Sequence, residues 1–105
     1  MKRHLMLLSL LAAGFANTAL ANAELAEAKQ CNVCHTLAKE TIGPSYRAIA
    51  DRYAGKPNAY EMLVRKVKSG GWGQWGDIAM PPKTARAELS DQEAATLVKW
   101  VLQQK

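Results

Sequence analysis

Cysteine is scarce in this chain: 105 residues contain two, Cys31 and Cys34. Three positions apart, they would close so small a loop that a disulfide between them would barely constrain the unfolded chain, so a disulfide framework is excluded. Histidine is as rare, at His4 and His35. β-Branched residues are too thinly spread for alternating strands, which argues against a sheet. No apolar run approaches the roughly 20 residues that cross a bilayer. Blocks of like charge are missing too. After the first residues no basic run exceeds Arg65-Lys66, and Lys and Arg are scattered among Asp and Glu, so the footprint of a nucleic-acid-binding protein is lacking. Repeats, low-complexity tracts and linkers are also absent, which leaves one domain.

What is present begins with a leader. Lys2 and Arg3 precede an apolar stretch, 5–15, and small residues ending Ala21-Asn22-Ala23 stand before Glu24. This is the pattern of a cleaved secretory signal peptide, with 1–23 removed and 24–105 forming the mature domain. The alternative, an uncleaved anchor, sits poorly with so short an apolar run. Loss of Lys2 and Arg3 lowers the formal charge of +5 by two, to +3, a mild excess that can orient a partner protein in solution. The expected location is the periplasm, with no stable membrane insertion and a monomeric state. A mature domain this small buries a modest fraction of its surface and commonly depends on a staple. With a disulfide excluded, the staple is a metal or a cofactor.

Periodicity is helical almost throughout and predicts four helices. The first spans 24–33, acidic at its start as a helix dipole favours, and leads into the cysteines. The second spans 45–54, follows Gly43-Pro44, places Tyr46, Ile49, Ala50 and Tyr53 on one face, and ends at Gly55. The third starts at Asn58, a candidate N-cap with Glu61 three residues on, and stops at Gly70-Gly71. The fourth begins at Ser90 with Glu93 completing a capping box, carries an apolar stripe of Ala94, Leu97, Val98, Val101 and Leu102, and runs nearly to Lys105. Residues 70–88 between the last two are rich in Gly, Pro and Trp. A connection that long is usually functional or packed on something.

Cys31-Asn32-Val33-Cys34-His35 is the CxxCH pattern of c-type haem attachment. Two thiols one helical turn apart can add to the two vinyl groups on one porphyrin edge, and the adjacent His35 is carried under the ring to offer an imidazole nitrogen to iron. Export fits, because bacterial haem attachment takes place outside the cytoplasm. A zinc site needs four ligands, and after the leader is lost Cys and His supply only these three. A thioredoxin-like redox pair would need a βαβ setting, which the pattern lacks. For the second axial position the mature chain has no other histidine. Met62 lies mid-helix, where methionine is commonly core filler. Met80 lies in the long connection, stiffened by Pro81-Pro82, and is the expected ligand.

Taken together, CNVCH near the mature start, Gly43-Pro44, Trp75 five residues before Met80, the Met80-Pro81-Pro82 run and the closing Leu97-Val98-Lys99-Trp100-Val101-Leu102 helix resemble a short bacterial class I cytochrome c of the cytochrome c-551 type. The resemblance implies a small all-α fold of about four helices wrapped around one covalently attached haem c, with the first and last helices crossing. It also implies an electron carrier, not an enzyme, served by a cytochrome bc1-type donor and by acceptors such as a terminal oxidase or nitrite reductase. By the same resemblance Pro44 offers its carbonyl to the outer nitrogen of His35, and Trp75 donates its indole N–H to a haem propionate, with Arg65 or Lys66 nearby. Read as plain residues, Trp72 and Trp75 would cover apolar surface, and Trp100 belongs to the core. Lys83 departs from the pattern, standing where relatives often carry an amide near the methionine sulfur. Two alternatives stay open at this stage. One is a haem peroxidase or gas-ligand sensor with a labile Met ligand; the other is a haem-free helical interaction module. A haem edge ringed by lysines is expected to meet the partner.

Overall fold

The computed structural model describes the backbone of residues 16–105 and side chains from residue 21 onward. The basic and apolar part of the leader, 1–15, lies outside the described residues, as does the greater part of the segment expected to be cleaved. Helix α1 (Ala16–Ala28) is followed by a 3-10 turn (Cys31–Val33), α2 (Tyr46–Tyr53), α3 (Ala59–Ser69), a second 3-10 turn (Lys83–Ala85) and α4 (Asp91–Leu102). The fold is all-α, as expected. Among the described residues the one β-like feature is an isolated antiparallel bridge between Gly71 and Met80.

Helix boundaries follow local chemistry, and two expectations need correction. The first helix does not span 24–33. It already runs from Ala16, the first described residue, through an alanine-rich stretch of high helical propensity before Glu24, and it ends at Ala28, because Gln30 takes a left-handed conformation at φ 64°. That break sets Cys31–Val33 in a tight turn of its own, closed by Cys34 N–H and His35 N–H donating to the Cys31 carbonyl at 3.2 and 3.0 Å. Asn58 does precede α3, but its side chain makes no capping bond. At φ 65° it uses the tolerance of asparagine for left-handed backbone instead. The other two starts are as expected. Ser45 Oγ accepts from Ala48 N–H at 3.1 Å, and Ser90 and Glu93 form a reciprocal capping box. Gly55, at φ +67°, closes α2 in the manner of a left-handed C-terminal glycine.

Helix α4 is the hub, packing against α1, α2 and α3. Its buried Ala94, Leu97 and Trp100 cluster with Ala26 of α1 and Tyr46 of α2, with Leu89 fully buried at the approach to the helix and Val64 and Val67 of α3 packed alongside; Val98 of α4 is buried as well. Tyr46 and Trp100 meet edge to face, ring centroids 5.0 Å apart, which confirms Trp100 as core. Burial pushes the Tyr46 hydroxyl well above its ordinary pKa, and that hydroxyl donates to Asn32 Oδ1 at 2.6 Å. This core is thin: among the described residues nine apolar side chains are buried and four of them are alanines. Helices this short need more apolar burial than that to hold together.

The N-terminus of α4 carries charge as well as caps. Glu93 accepts from Ser90 N–H at 3.0 Å and pairs with Lys29, just after α1, at 3.1 Å, while Asp91 pairs with Lys68 of α3 at 2.5 Å. The Ser90 backbone bond, then Lys29, holds the Glu93 carboxyl below its ordinary 4.5; Lys68, aided by Lys83, does the same for Asp91 from 3.8. A carboxyl whose pKa is lower in the folded state contributes stability that is present above its unfolded value and lost as pH falls through its folded one. Glu93→Gln can still complete the box but loses the charge, so it should melt below wild type at pH 7. That gap should shrink and close as the pH is taken down past 4.5, a trend that thermal melts followed by circular dichroism will read.

Candidate functional site

A cavity of about 1100 Å³, open mouth included, lies between the turn that follows α1, helices α2, α3 and α4, and the 70–82 segment. Cys31, Cys34, His35, Pro44, Trp75 and Met80 all line it, so these six residues share one space. Its apolar walls come from Ile49 of α2, Leu63 and Val67 of α3, and Leu97, Val98 and Val101 of α4.

His35 is held from behind. Its Nδ1–H donates to the Pro44 carbonyl at 2.7 Å, since a carbonyl can only accept, which turns Nε2 to the other side as the nitrogen that would meet a metal, the usual arrangement for a ligating imidazole. Tyr46 stacks at 5.8 Å from the same ring. Gly43 makes this possible, since a Cβ there would lie 2.8 Å from His35 Cε1 and 3.0 Å from Nδ1. Neither cysteine is in a disulfide. Burial raises the Cys31 thiol pKa, opposed by the positive charge of Arg86.

Met80 is held by its backbone. Gly71 N–H donates to the Met80 carbonyl at 3.0 Å and Met80 N–H to the Gly71 carbonyl at 2.8 Å. The connection between α3 and α4 is therefore no open loop; it is pinned within two residues of the end of α3. Gly70, at φ 71° and ψ −163°, occupies a region reached almost only by glycine, and a Cβ on it would run into the Met80 carbonyl and crowd Pro82 N at 2.8 Å. Gly70→Ala should cost about 1–3 kcal/mol in backbone strain alone, with the clash added. Denaturant titration checks the loss, and the Met80 segment should be the first part to show faster hydrogen exchange.

Met62 is placed differently. It does not line the cavity, and its sulfur accepts from Gln74 Nε2 at 3.4 Å. Trp75 lies under Arg52, whose guanidinium carbon is 4.3 Å from the indole centroid and whose Nη1 donates to the Gln74 carbonyl at 2.5 Å. Trp72 is 72 % exposed. Of the two basic residues expected near Trp75, Lys66 lines the cavity and Arg65 does not. Lys66 is the one lysine among the lining residues, whereas Ile42, Trp72 and Ile78 line the cavity and remain exposed. Lys83 opens the second 3-10 turn, and its charge bears on Asp91. Arg52 and Arg86 carried no signal in the sequence, and Gly43 and Gly70, noted there beside helix ends, gave no sign of their close approach to His35 and to the Met80 segment.

These residues fit a covalently tethered porphyrin. Two thiols and an oriented imidazole share an apolar cavity with a methionine, and the glycine at its rim has no room for a side chain. The sequence model described as Cytochrome c matches residues 20–105. The chain is 42 % identical over 106 residues to cytochrome c-551 of Pseudomonas aeruginosa, covering 94 % of this chain and 95 % of that one. It is 40 % identical over 89 residues to cytochrome c-552 of Hydrogenobacter thermophilus, covering 85 % and 87 %. The crystal structure of wild-type Nitrosomonas europaea cytochrome c552 superposes with a TM-score of 0.72 at 38 % identity, over 79 % of this chain and 99 % of that one. With the motif, the cavity and these likenesses in agreement, the chain belongs to the cytochrome c family, as an electron-transport protein of the class I c-551 type with one covalently attached haem c.

Proposed function

We propose that the mature chain, 24–105, is a periplasmic electron carrier in which His35 and Met80 take the two axial positions of the haem iron. The observation that carries this reading is the shared cavity, with His35 oriented by the Pro44 carbonyl and Met80 pinned to Gly71. When bound, the haem supplies a one-electron couple, which a thioether and an imidazole together shift towards the reduced form. The protein's part is to hold both ligands, so that no substrate reaches the metal, and to line the ring with apolar side chains that keep water away. Trp75 and Lys66 are the groups placed to meet the haem propionates. Electrons pass by outer-sphere transfer where Ile42, Trp72 and Ile78 leave the rim exposed, a small apolar contact area that suits brief encounters with redox proteins. A bc1-type complex as donor and a reductase or terminal oxidase as acceptor fit that role. Among the described residues no helix is long and apolar enough to cross a membrane.

Redox titration of the purified, exported protein tests the proposal. A single reversible one-electron couple, with reduced protein that excludes carbon monoxide and an N-terminus at Glu24, is the expected result. High-spin iron with rapid carbon monoxide binding would overturn it in favour of a peroxidase or gas sensor.

A further inference from the structure

Arg86 lies outside the cavity yet ties together the segments that build it. It follows the second 3-10 turn in extended backbone, φ −150°. Its Nη2 donates to the Val67 carbonyl, and its Nε donates to the Pro81 carbonyl at 3.2 Å. Val67 O is one of the last four carbonyls of α3, which have no partner within the helix, and a cation there also suits the helix dipole. Pro81 is the residue next to Met80. One planar guanidinium thus joins the end of α3 to the methionine segment, and its fork geometry lets it hold two acceptors at once. The two residues after it reach the other side of the site. Ala87 N–H donates to Gln30 Oε1 at 2.9 Å and the Glu88 carbonyl accepts from Lys29 Nζ at 2.8 Å, just ahead of Cys31.

We infer that Arg86 is a positioning residue for Met80: with its neighbours it clips the methionine segment to α3 and to the turn that carries Cys31, and so sets how readily the sulfur leaves the iron. The inference rests on the reading of Met80 as ligand. Hydrogen bonds from a charged group are stronger than neutral ones, and two are made here. Without them the segment should open more often, and an incoming ligand that needs the open form should bind correspondingly better.

The test uses the mature holoprotein in its oxidised form, titrated with imidazole while the near-infrared sulfur-to-iron band is followed. Arg86→Leu should bind imidazole about tenfold or more tighter than wild type. Arg86→Lys, which keeps one charged donor, should fall between the two. Ser90→Ala serves as the control: it removes the α4 cap and lowers the unfolding midpoint, and its imidazole affinity should stay at the wild-type value. Should Arg86→Leu fail to accumulate as holoprotein, Arg86→Lys carries the test, with an expected gain of about threefold. An affinity within about twofold of wild type for the Arg86 variant measured, or a Ser90→Ala affinity that rises in step with it, overturns the clip. A wild-type protein without the near-infrared band overturns the ligand assignment and the clip with it.

Discussion

Met80→Ala should yield a protein that keeps its haem and most of its helices but changes its iron chemistry. The near-infrared sulfur-to-iron band disappears, the oxidised iron turns high-spin or takes up water, and the reduced iron binds carbon monoxide rapidly. The cause is specific. Among the described residues the side chain lost is the only methionine lining the cavity, while His35 stays fixed by Pro44 and the thioether links are untouched. With methionine no longer favouring the reduced form, the midpoint potential should fall by something on the order of 0.1–0.3 V, a fraction of the ~0.8 V that axial ligation spans. Met62→Ala is the matched comparison. Half-buried and off the cavity, it should lose about 1–2 kcal/mol, less than a fully buried methionine, with an unchanged spectrum. A Met80 variant that still shows the band, or a Met62 variant that loses it, reverses the ligand assignment.

The second large effect is on folding. Cys31→Ala, Cys34→Ala protein should lose cooperative unfolding and most of its far-ultraviolet helical signal. Neither variant position packs much by itself; what is lost is the tether for the group that fills the cavity. Four aliphatic side chains of α2, α3 and α4 that are not already buried, Ile49, Leu63, Val67 and Val101, face that space. Since burying one such side chain stabilises by roughly 1.5–3 kcal/mol, leaving them wet removes an amount comparable to the whole ~5–15 kcal/mol stability of a small domain. The alanine-rich core around Leu97 and Trp100 has little in reserve. A single Cys31→Ala change, with Cys34 still linked, should fall between the two. A colourless double variant that melts cooperatively with native helicity would instead support a haem-free helical module.

Much of this architecture was legible before any coordinates. The capping box at Ser90 and Glu93 is a short-range code, and the helix it starts lies where the pattern put it. CxxCH is equally local, so Cys31, Cys34 and His35 were identified as a unit. Helix α1 was misplaced at both ends because upstream alanines extend it and because a left-handed glutamine, at Gln30, leaves no signature in composition. Asn58 was placed correctly but given the wrong role, since capping and left-handed backbone draw on the same residue type. What could not be read was the long connection. Its order comes from the Gly71–Met80 bridge, from Arg52 over Trp75 and from Arg86 across to Val67 and Pro81. All but the Arg86–Pro81 bond join residues nine or more positions apart, and spacing in the sequence does not encode them.

Ligation of the iron by His35 and Met80 is the claim on which the carrier reading depends, and proton NMR of the reduced mature protein, with methionine methyl groups selectively labelled, tests it most directly. A methyl held against the face of a porphyrin is shifted far upfield by the ring current. One methionine methyl should show that shift, and it should persist in Met62→Leu. Methyl signals that all stay in the ordinary range, or an upfield signal that vanishes with Met62, would contradict it.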